Sequence, residues 1–304
     1  MTPKVVLFFI DGIGIGKDNE DVNPFFRARL PVLRSLLGGE MFHQGMKSLS
    51  SRKASLVPVN ATLGVPGLPQ SGTGQTAIFT GVNAPRRAGR HFGPFPPTSL
   101  RPVIQEKNIF ARLLRAGKRV AFANAFPKQF FEYTNSGTRR LTVTTLSCMM
   151  AGVPLFTGKD LREGRGVSAD LTRARWTEMG YPDLTEIPAA EAGNHLAALA
   201  AEQDFTLFEY WLTDHAGHRR DMNFAVDILE RFDSFLGGYC DAIDGRQVTT
   251  LMISDHGNLE DLSTKSHTRN PVPCIAFGRM RHKLLAETKN LTHITPAIVN
   301  LLTT

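Results

Sequence analysis

Cysteine is scarce in this chain: only Cys148, Cys240 and Cys274 occur in 304 residues. They are too few and too scattered for a disulfide framework or a CxxC zinc ribbon. They read as small buried hydrophobes in a reducing compartment, so the expected location is the cytoplasm. Long hydrophobic runs are also missing, and nothing approaches the roughly 18 apolar residues of a spanning helix. The apolar start at 5–10 runs straight into Asp11 and glycines, where a secretory leader would be longer and end in small residues. No membrane partner is expected. There is no GK[ST] phosphate loop, and the absence of GxSxG disfavours an α/β-hydrolase. Internal repeats, low-complexity tracts and domain linkers are absent as well.

What is present is an ordinary globular mix, 42% hydrophobic and 21% charged. A chain this long buries about three quarters of its unfolded surface and needs no staples. Lysine and arginine number 35 against 28 acids, a net charge of +7, with the basic residues in scattered doublets such as Arg86–Arg87 and Arg219–Arg220. A nucleic-acid binder usually brings a basic stripe with interleaved aromatics. Steering a small anionic substrate needs only a positive surface average, and that reading is preferred here, with no nucleic-acid partner expected.

The run KVVLFFI at 4–10 is apolar, β-branched and aromatic, and a glycine-rich turn follows it. That is how a parallel strand buried on both faces looks. The runs RVAFAN (119–124), TLFEYWL (206–212) and TTLMIS (249–254) share this character, and each follows a helix-like stretch, at 109–116, 189–202 and 224–242. In the last, Val226, Leu229, Phe232 and Leu236 recur at helical spacing. The alternation predicts an α/β fold: a three-layer α/β/α sandwich around a mainly parallel central sheet. A single domain over 1–304 is expected, with a long loop at 85–102 near the site and a small irregular excursion around 145–181. Ligands in such folds bind at the carboxyl ends of the strands.

Acidic residues stand at three of those ends. Asp214 and His218, four apart on a helical turn, can ligate one metal, although such a pair is also common on surfaces. Asp255-His256-Gly257-Asn258 follows a buried strand, where a charged Asp is costly unless paired or metal-bound; Asp, Gly and Asn are equally at home in a turn. His267 lies in SHTRNPVP, with prolines that favour an extended approach. Asp11 opens a GxGxG turn that lacks the GxGxxG spacing of a dinucleotide loop. Ser71 stands among small residues before the helix-like QTAIFT, where backbone N–H groups at a helix start favour a phosphate or oxyanion; an N-cap serine in a glycine-rich loop is the plain alternative. Each element is weak alone. Asp11, Ser71, Asp214, His218, Asp255, His256 and His267, in this order, look like a two-metal set.

The chain resembles the alkaline phosphatase superfamily of metalloenzymes, on the branch of cofactor-independent phosphoglycerate mutase and phosphopentomutase. FFIDGIGIG, PQSGTGQTAIFTG, TDHAGH, ISDHGN with SHTRNPVP, and the terminal HITPAIVNLL carry the resemblance. It implies an alkaline-phosphatase-like fold, one metal held by Asp214, His218 and His267, and a second held by Asp11, Asp255 and His256. Ser71 would bridge the two as nucleophile, with Thr73 as the nearby rival. Two departures stand out. Gln75 replaces a histidine of the mutases, and only residues 72–213 lie between Ser71 and Asp214, a poor fit for a full mutase cap. No sulfatase CxPxR-type motif is present.

The resemblance implies a phosphoester hydrolase, a phosphatase or phosphodiesterase, working through a phosphoserine on a small phosphorylated substrate. Mixed histidine and carboxylate ligands suit two Zn²⁺ or Mn²⁺ ions better than Ca²⁺. His91, on the loop after the Ser71 helix, is the expected substrate contact. A phosphomutase is the main alternative, and a non-catalytic metal or nucleic-acid binding protein a further one.

Overall fold

The computed structural model describes residues 3–137, 140–286 and 288–304. Its strands are β1 (Lys4–Ile10), β2 (Leu49–Ser50), β3 (Ala54–Val59), β4 (Val120–Phe122), β5 (Ala125–Phe126), β6 (Phe156–Thr157), β7 (Phe205–Tyr210), β8 (Val248–Ile253) and β9 (Val272–Phe277). The helices that matter below are α1 (Ser71–Thr80), α2 (Ile109–Arg115), α3 (Val143–Met150), α4 (Ala189–Glu202), α5 (Leu212–Arg219), α6 (Met222–Ala242) and α7 (Ile294–Thr303).

Successive side chains of β1 point to opposite faces, and neither face meets water. Val6, Phe8 and Ile10 enter one hydrophobic core; Val5, Leu7 and Phe9 enter the other. Helices α4 and α6 cover the first face through Leu196, Ile228, Phe232 and Phe235, with Phe8 and Tyr239 ring centroids 4.9 Å apart. Helices α1, α2 and α7 cover the second through Phe79, Phe110, Ile298 and Leu301. The result is the expected three-layer α/β/α arrangement.

The main sheet runs β2-β3-β9-β8-β1-β7-β4. Its centre, β8-β1-β7-β4, is parallel. The flank is not: β9 runs antiparallel to both β8 and β3, and β2 antiparallel to β3. Parallel neighbours need a crossover, usually a helix. The connection from β8 to β9 contains no helix, so β9 returns in the opposite direction.

Two loop expectations change. The stretch 85–102 begins inside a helical turn, Ala84–Ala88, capped by the Asn83 side chain accepting from Arg86 N at 3.1 Å, and carries a 3₁₀ turn at Thr98–Leu100. The irregular part of the chain also does not begin at 145, because α3 sends Val143, Leu146 and Cys148 into the main core. The excursion is instead the short β5–β6 sheet with a small core of Ala125, Leu161, Trp176 and Leu184. Among the described residues, no helix is long and apolar enough to cross a membrane.

Candidate metal centre

Three adjacent central strands deliver the polar residues to one end of the sheet. At the end of β1, Asp11 N donates to the Tyr210 carbonyl at the end of β7, at 3.0 Å. Beyond β7, α5 places Asp214 and His218 one turn apart, with Asp214 Oδ2 3.3 Å from His218 Nε2. Beyond β8 come Ser254, Asp255 and His256. Ser254 Oγ accepts from Ile13 N at 2.8 Å and donates to the His256 carbonyl at 3.0 Å, tying the ends of β1 and β8 together.

Ser71 is the first residue of α1 and not its cap: Gln70 holds the cap position without a side-chain bond. Ser71 Oγ lies 3.0 Å from His256 Nε2. Thr73 is engaged elsewhere, donating to the Gln70 carbonyl and accepting from Phe92 N at 3.1 Å.

Two groups of side chains converge closely enough to hold a cation. Ligand atoms of Asp214, His218 and His267 all lie within 4.8 Å of one another, and so do those of Asp11, Asp214 and His256. Asp214 thus belongs to both groups. The resemblance implies Asp255 in the second; its Oδ2 sits 3.5 Å from His256 Nε2, beside the group.

The donor chemistry of both groups fits a divalent ion. His267 Nδ1 bonds the Pro69 carbonyl at 2.8 Å, and His218 Nδ1 bonds the Lys265 carbonyl at 3.2 Å. A carbonyl only accepts, so both Nδ1 atoms carry their protons and both rings present Nε2 to the centre. Those two Nε2 atoms are 3.2 Å apart. Burial, with His256 alongside, pushes the His267 imidazole down to about 4, so it stands neutral and its Nε2 is a lone pair.

In the inner group, Asp11 Oδ1 and Asp255 Oδ2 are buried without a hydrogen-bond partner. Burial and the neighbouring carboxylates raise the Asp11 carboxyl well above its usual range, and burial raises Asp255. Burial also works against ionised Asp214, but hydrogen bonds from His218 and Asn258 and the nearby His256 ring outweigh it and hold that carboxyl below its usual range. Orphaned carboxylate oxygens, buried side by side, are what a bound cation satisfies.

Some residues of the centre went unassigned in the sequence reading. Asn258 Nδ2 donates to Asp214 Oδ1 at 2.6 Å and to its carbonyl at 3.1 Å, fixing that carboxylate. Gln75 Nε2 reaches Asp11 Oδ2 at 3.4 Å. Glu209, on β7, accepts from Thr144 Oγ1 at 2.8 Å through Oε2, while Oε1 is buried without a partner. Burial pushes Glu209 up to about 7. A lone glutamate in an otherwise apolar buried strand was the available signal. His91 stands apart from both groups: it is half-buried, with Nε2 on the Val65 carbonyl at 3.2 Å.

The 2,3-bisphosphoglycerate-independent phosphoglycerate mutase of Desulforudis audaxviator is 29% identical over 128 residues, covering 40% of this chain and 25% of its own length. The match thus spans a quarter of that longer protein. Among solved structures, the alkaline phosphatase of the Antarctic bacterium TAB5 aligns over 99% of both chains with a TM-score of 0.55 at 12% identity. The phosphoglycerate mutase of Leishmania mexicana aligns over 100% of this chain and 96% of its own, with a TM-score of 0.52 at 11% identity. These likenesses show an alkaline-phosphatase-like fold. Residues 3–304 match the Metalloenzyme superfamily along their whole length, and the chain belongs to that superfamily.

Proposed function

We propose that this protein is a two-metal phosphoester hydrolase acting through Ser71, with residues 1–304 working as one metalloenzyme domain. The observation that carries the reading is the placement of Ser71 Oγ, 3.0 Å from His256 Nε2 at the head of α1, beside two ligand groups that share Asp214. Asp214, His218 and His267 would hold one ion; Asp11 and His256, with Asp214 or the adjacent Asp255, the other. Bound Zn²⁺ or Mn²⁺ would lower the pKa of the Ser71 hydroxyl and of a water and neutralise charge growing on the phosphoryl oxygens.

Ser71 Oγ loses its proton and bonds to phosphorus as the bond to the alcohol oxygen breaks, and that oxygen takes up a proton as the alcohol departs. Water then attacks the Ser71 ester, releasing inorganic phosphate when the substrate is a monoester, or the remaining monoester when it is a diester, and restoring the hydroxyl. The N-terminal dipole of α1 favours the anionic phosphoryl group at this spot. His91 is the proposed substrate contact. It lies against Gly67, whose carbonyl accepts from Arg269 Nε at 3.1 Å, in the segment that runs on to Ser71. A cytoplasmic location belongs to the same reading, supported by three free cysteines.

The second reading is a phosphomutase, in which the Ser71 phosphoryl group returns to the same substrate. The mutase relatives favour it; the small size of the β5–β6 excursion, with its four-residue buried core, favours hydrolysis. Metal content by mass spectrometry, paired with turnover of nitrophenyl phosphate and its diester under added Zn²⁺ or Mn²⁺, tests the proposal. Two ions with nitrophenol release are expected, and Ser71→Ala is expected to abolish turnover with both ions retained. An active Ser71→Ala alongside a dead Thr73→Ala would move the nucleophile to Thr73.

A further inference from the structure

The glycine-rich turn after β1 is left without a role by the metal ligands alone, and its neighbours supply one. A Cβ at Gly14 would stand 2.2 Å from Glu260 Oε1, and one at Gly16 would meet the Glu260 carbonyl at 2.7 Å and its Cγ at 2.8 Å. On the other side, a Cβ at Gly257 would stand 2.3 Å from Glu260 Oε1. These glycines leave room for one side chain, and that side chain is only 1% exposed.

Glu260 accepts four hydrogen bonds from three separate segments. Its Oε2 takes the backbone amides of Gly14, at 2.9 Å, and Asn258, at 2.7 Å. Its Oε1 takes the Thr268 hydroxyl and Asn270 Nδ2, the latter at 2.9 Å. One oxygen therefore joins the turn after Asp11 to the loop after His256, and the other fastens the segment carrying His267 to both. No lysine or arginine pairs with Glu260 among the described residues. The carboxylate is held by neutral donors alone, as is typical of groups that orient metal ligands from behind.

We propose that Glu260 is the positioning residue of the metal centre: by clamping the His267 segment to the Asp11 and His256 loops, it sets the affinity for the outer ion, the one held by Asp214, His218 and His267. Asp11 follows β1 directly, and His256 lies three residues beyond β8, tied by Ser254 to the turn after β1 without Glu260. His267 has no such strand before it. Besides the Pro69 carbonyl and the backbone bridge from Thr268 N to the Gly257 carbonyl at 2.9 Å, its side-chain anchors are Thr268 and Asn270. The inference rests on reading the ligand groups as a metal centre.

Glu260→Gln separates the two halves of the clamp. Its amide oxygen can still accept from Gly14 and Asn258, but its NH₂ then faces Asn270 Nδ2, a donor. Flipping Asn270 requires Gln44, whose Nε2 donates to Asn270 Oδ1 at 2.9 Å, to turn with it. The test is calorimetric titration of metal-free protein with Zn²⁺ or Mn²⁺, alongside melting of the same proteins in chelator.

The wild type should show two binding events. In Glu260→Gln, one event should weaken by about 10- to 100-fold, the range for lost outer-layer partners of a ligand. That event should be the one His218→Ala removes, and melting in chelator should stay near that of the wild type. Thr268→Val combined with Asn270→Ala, which touches only the His267 side, should weaken the same event. Two unchanged events in Glu260→Gln would overturn the proposal, as would equal weakening of both events together with a lower melting temperature in chelator. No binding event in the wild type would instead overturn the metal-centre reading beneath it.

Discussion

The outer and inner ligand groups are built from the same kinds of side chain in opposite ways. In the outer group, Asp214, His218 and His267, backbone carbonyls orient both imidazoles, and Asn258 fixes the carboxylate. His218 is exposed, and Asp214 stays ionised. In the inner group, Asp11 and His256, with Asp255 beside them, lie beyond strand ends, almost wholly buried, and two of these carboxylate oxygens, one on Asp11 and one on Asp255, have no partner. Hydrogen bonds prearrange the first group. The second is held by the sheet itself, whose two cores fix β1 and β8 regardless of the electrostatic cost at their tips. Ordering energy thus comes from different sources, and a cation relieves much more in the inner group.

Asp214 is the test of whether the two groups act as one centre. Asp214→Asn should remove both ions and cut turnover by roughly 10⁴-fold or more, since each ion is worth several kcal/mol in the transition state. Metal analysis and kinetics on the same sample check this; retention of either ion at full stoichiometry would break the sharing.

Single-group variants should then diverge. Asp255→Asn should weaken the inner ion yet raise the melting temperature in chelator, because it removes a buried charge whose Oδ2 has no partner. His218→Ala should weaken the outer ion and leave melting in chelator nearly unchanged, its ring being exposed. Melting curves with and without ions separate the two patterns.

Glu209 extends the contrast to pH. Its ordinary value is 4.5, and burial raises it to about 7 in the folded protein. The folded state therefore keeps a proton that the unfolded chain has released. The stability it contributes is fully present below about 4.5 and is lost as pH rises through about 7, a loss on the order of 3 kcal/mol. In chelator, Glu209→Gln should stabilise the protein at pH 8 and leave it unchanged at pH 4, as read by denaturant melts. The smallest effect belongs to His91. His91→Ala should raise KM by about 3- to 10-fold at constant kcat, the signature of binding shared by ground and transition states.

Much of this was legible in the chain itself. Strands β1, β7 and β8 announce themselves because burial on both faces demands largely apolar, β-branched and aromatic runs, and the acids that follow them mark the candidate ligand end. Strand β3 is harder to see: Pro58 and Ser55 interrupt its pattern, and it lies in the antiparallel flank. Helix α3 hides for another reason. Its sequence VTTLSCMM is buried from Val143 to Cys148, so no polar face sets its period. The motif residues converge in space, but which carboxylate serves which group depends on distances that no spacing encodes, as Asp214 shows. Glu209 and Glu260 are single letters whose meaning comes from partners 65 residues away in one case and 246 in the other.

Strand β4 has only three residues, lies at the sheet's edge and pairs with β7 alone. Beyond it, α3 packs into the main core, while β5, β6 and the segment around Leu161, Trp176 and Leu184 form the small separate core before the chain returns as α4, crossing none of the ladders that join β8, β1 and β7. Segments hung on an edge, with a core of their own, can lengthen or shrink at little expense to the rest. Here is the place where this architecture can acquire or shed a whole module while the ligand-bearing strands keep their register. Grafting a foreign segment between Leu171, the last excursion residue in the main core, and α4 is accordingly the natural first route to redesigning what enters the centre.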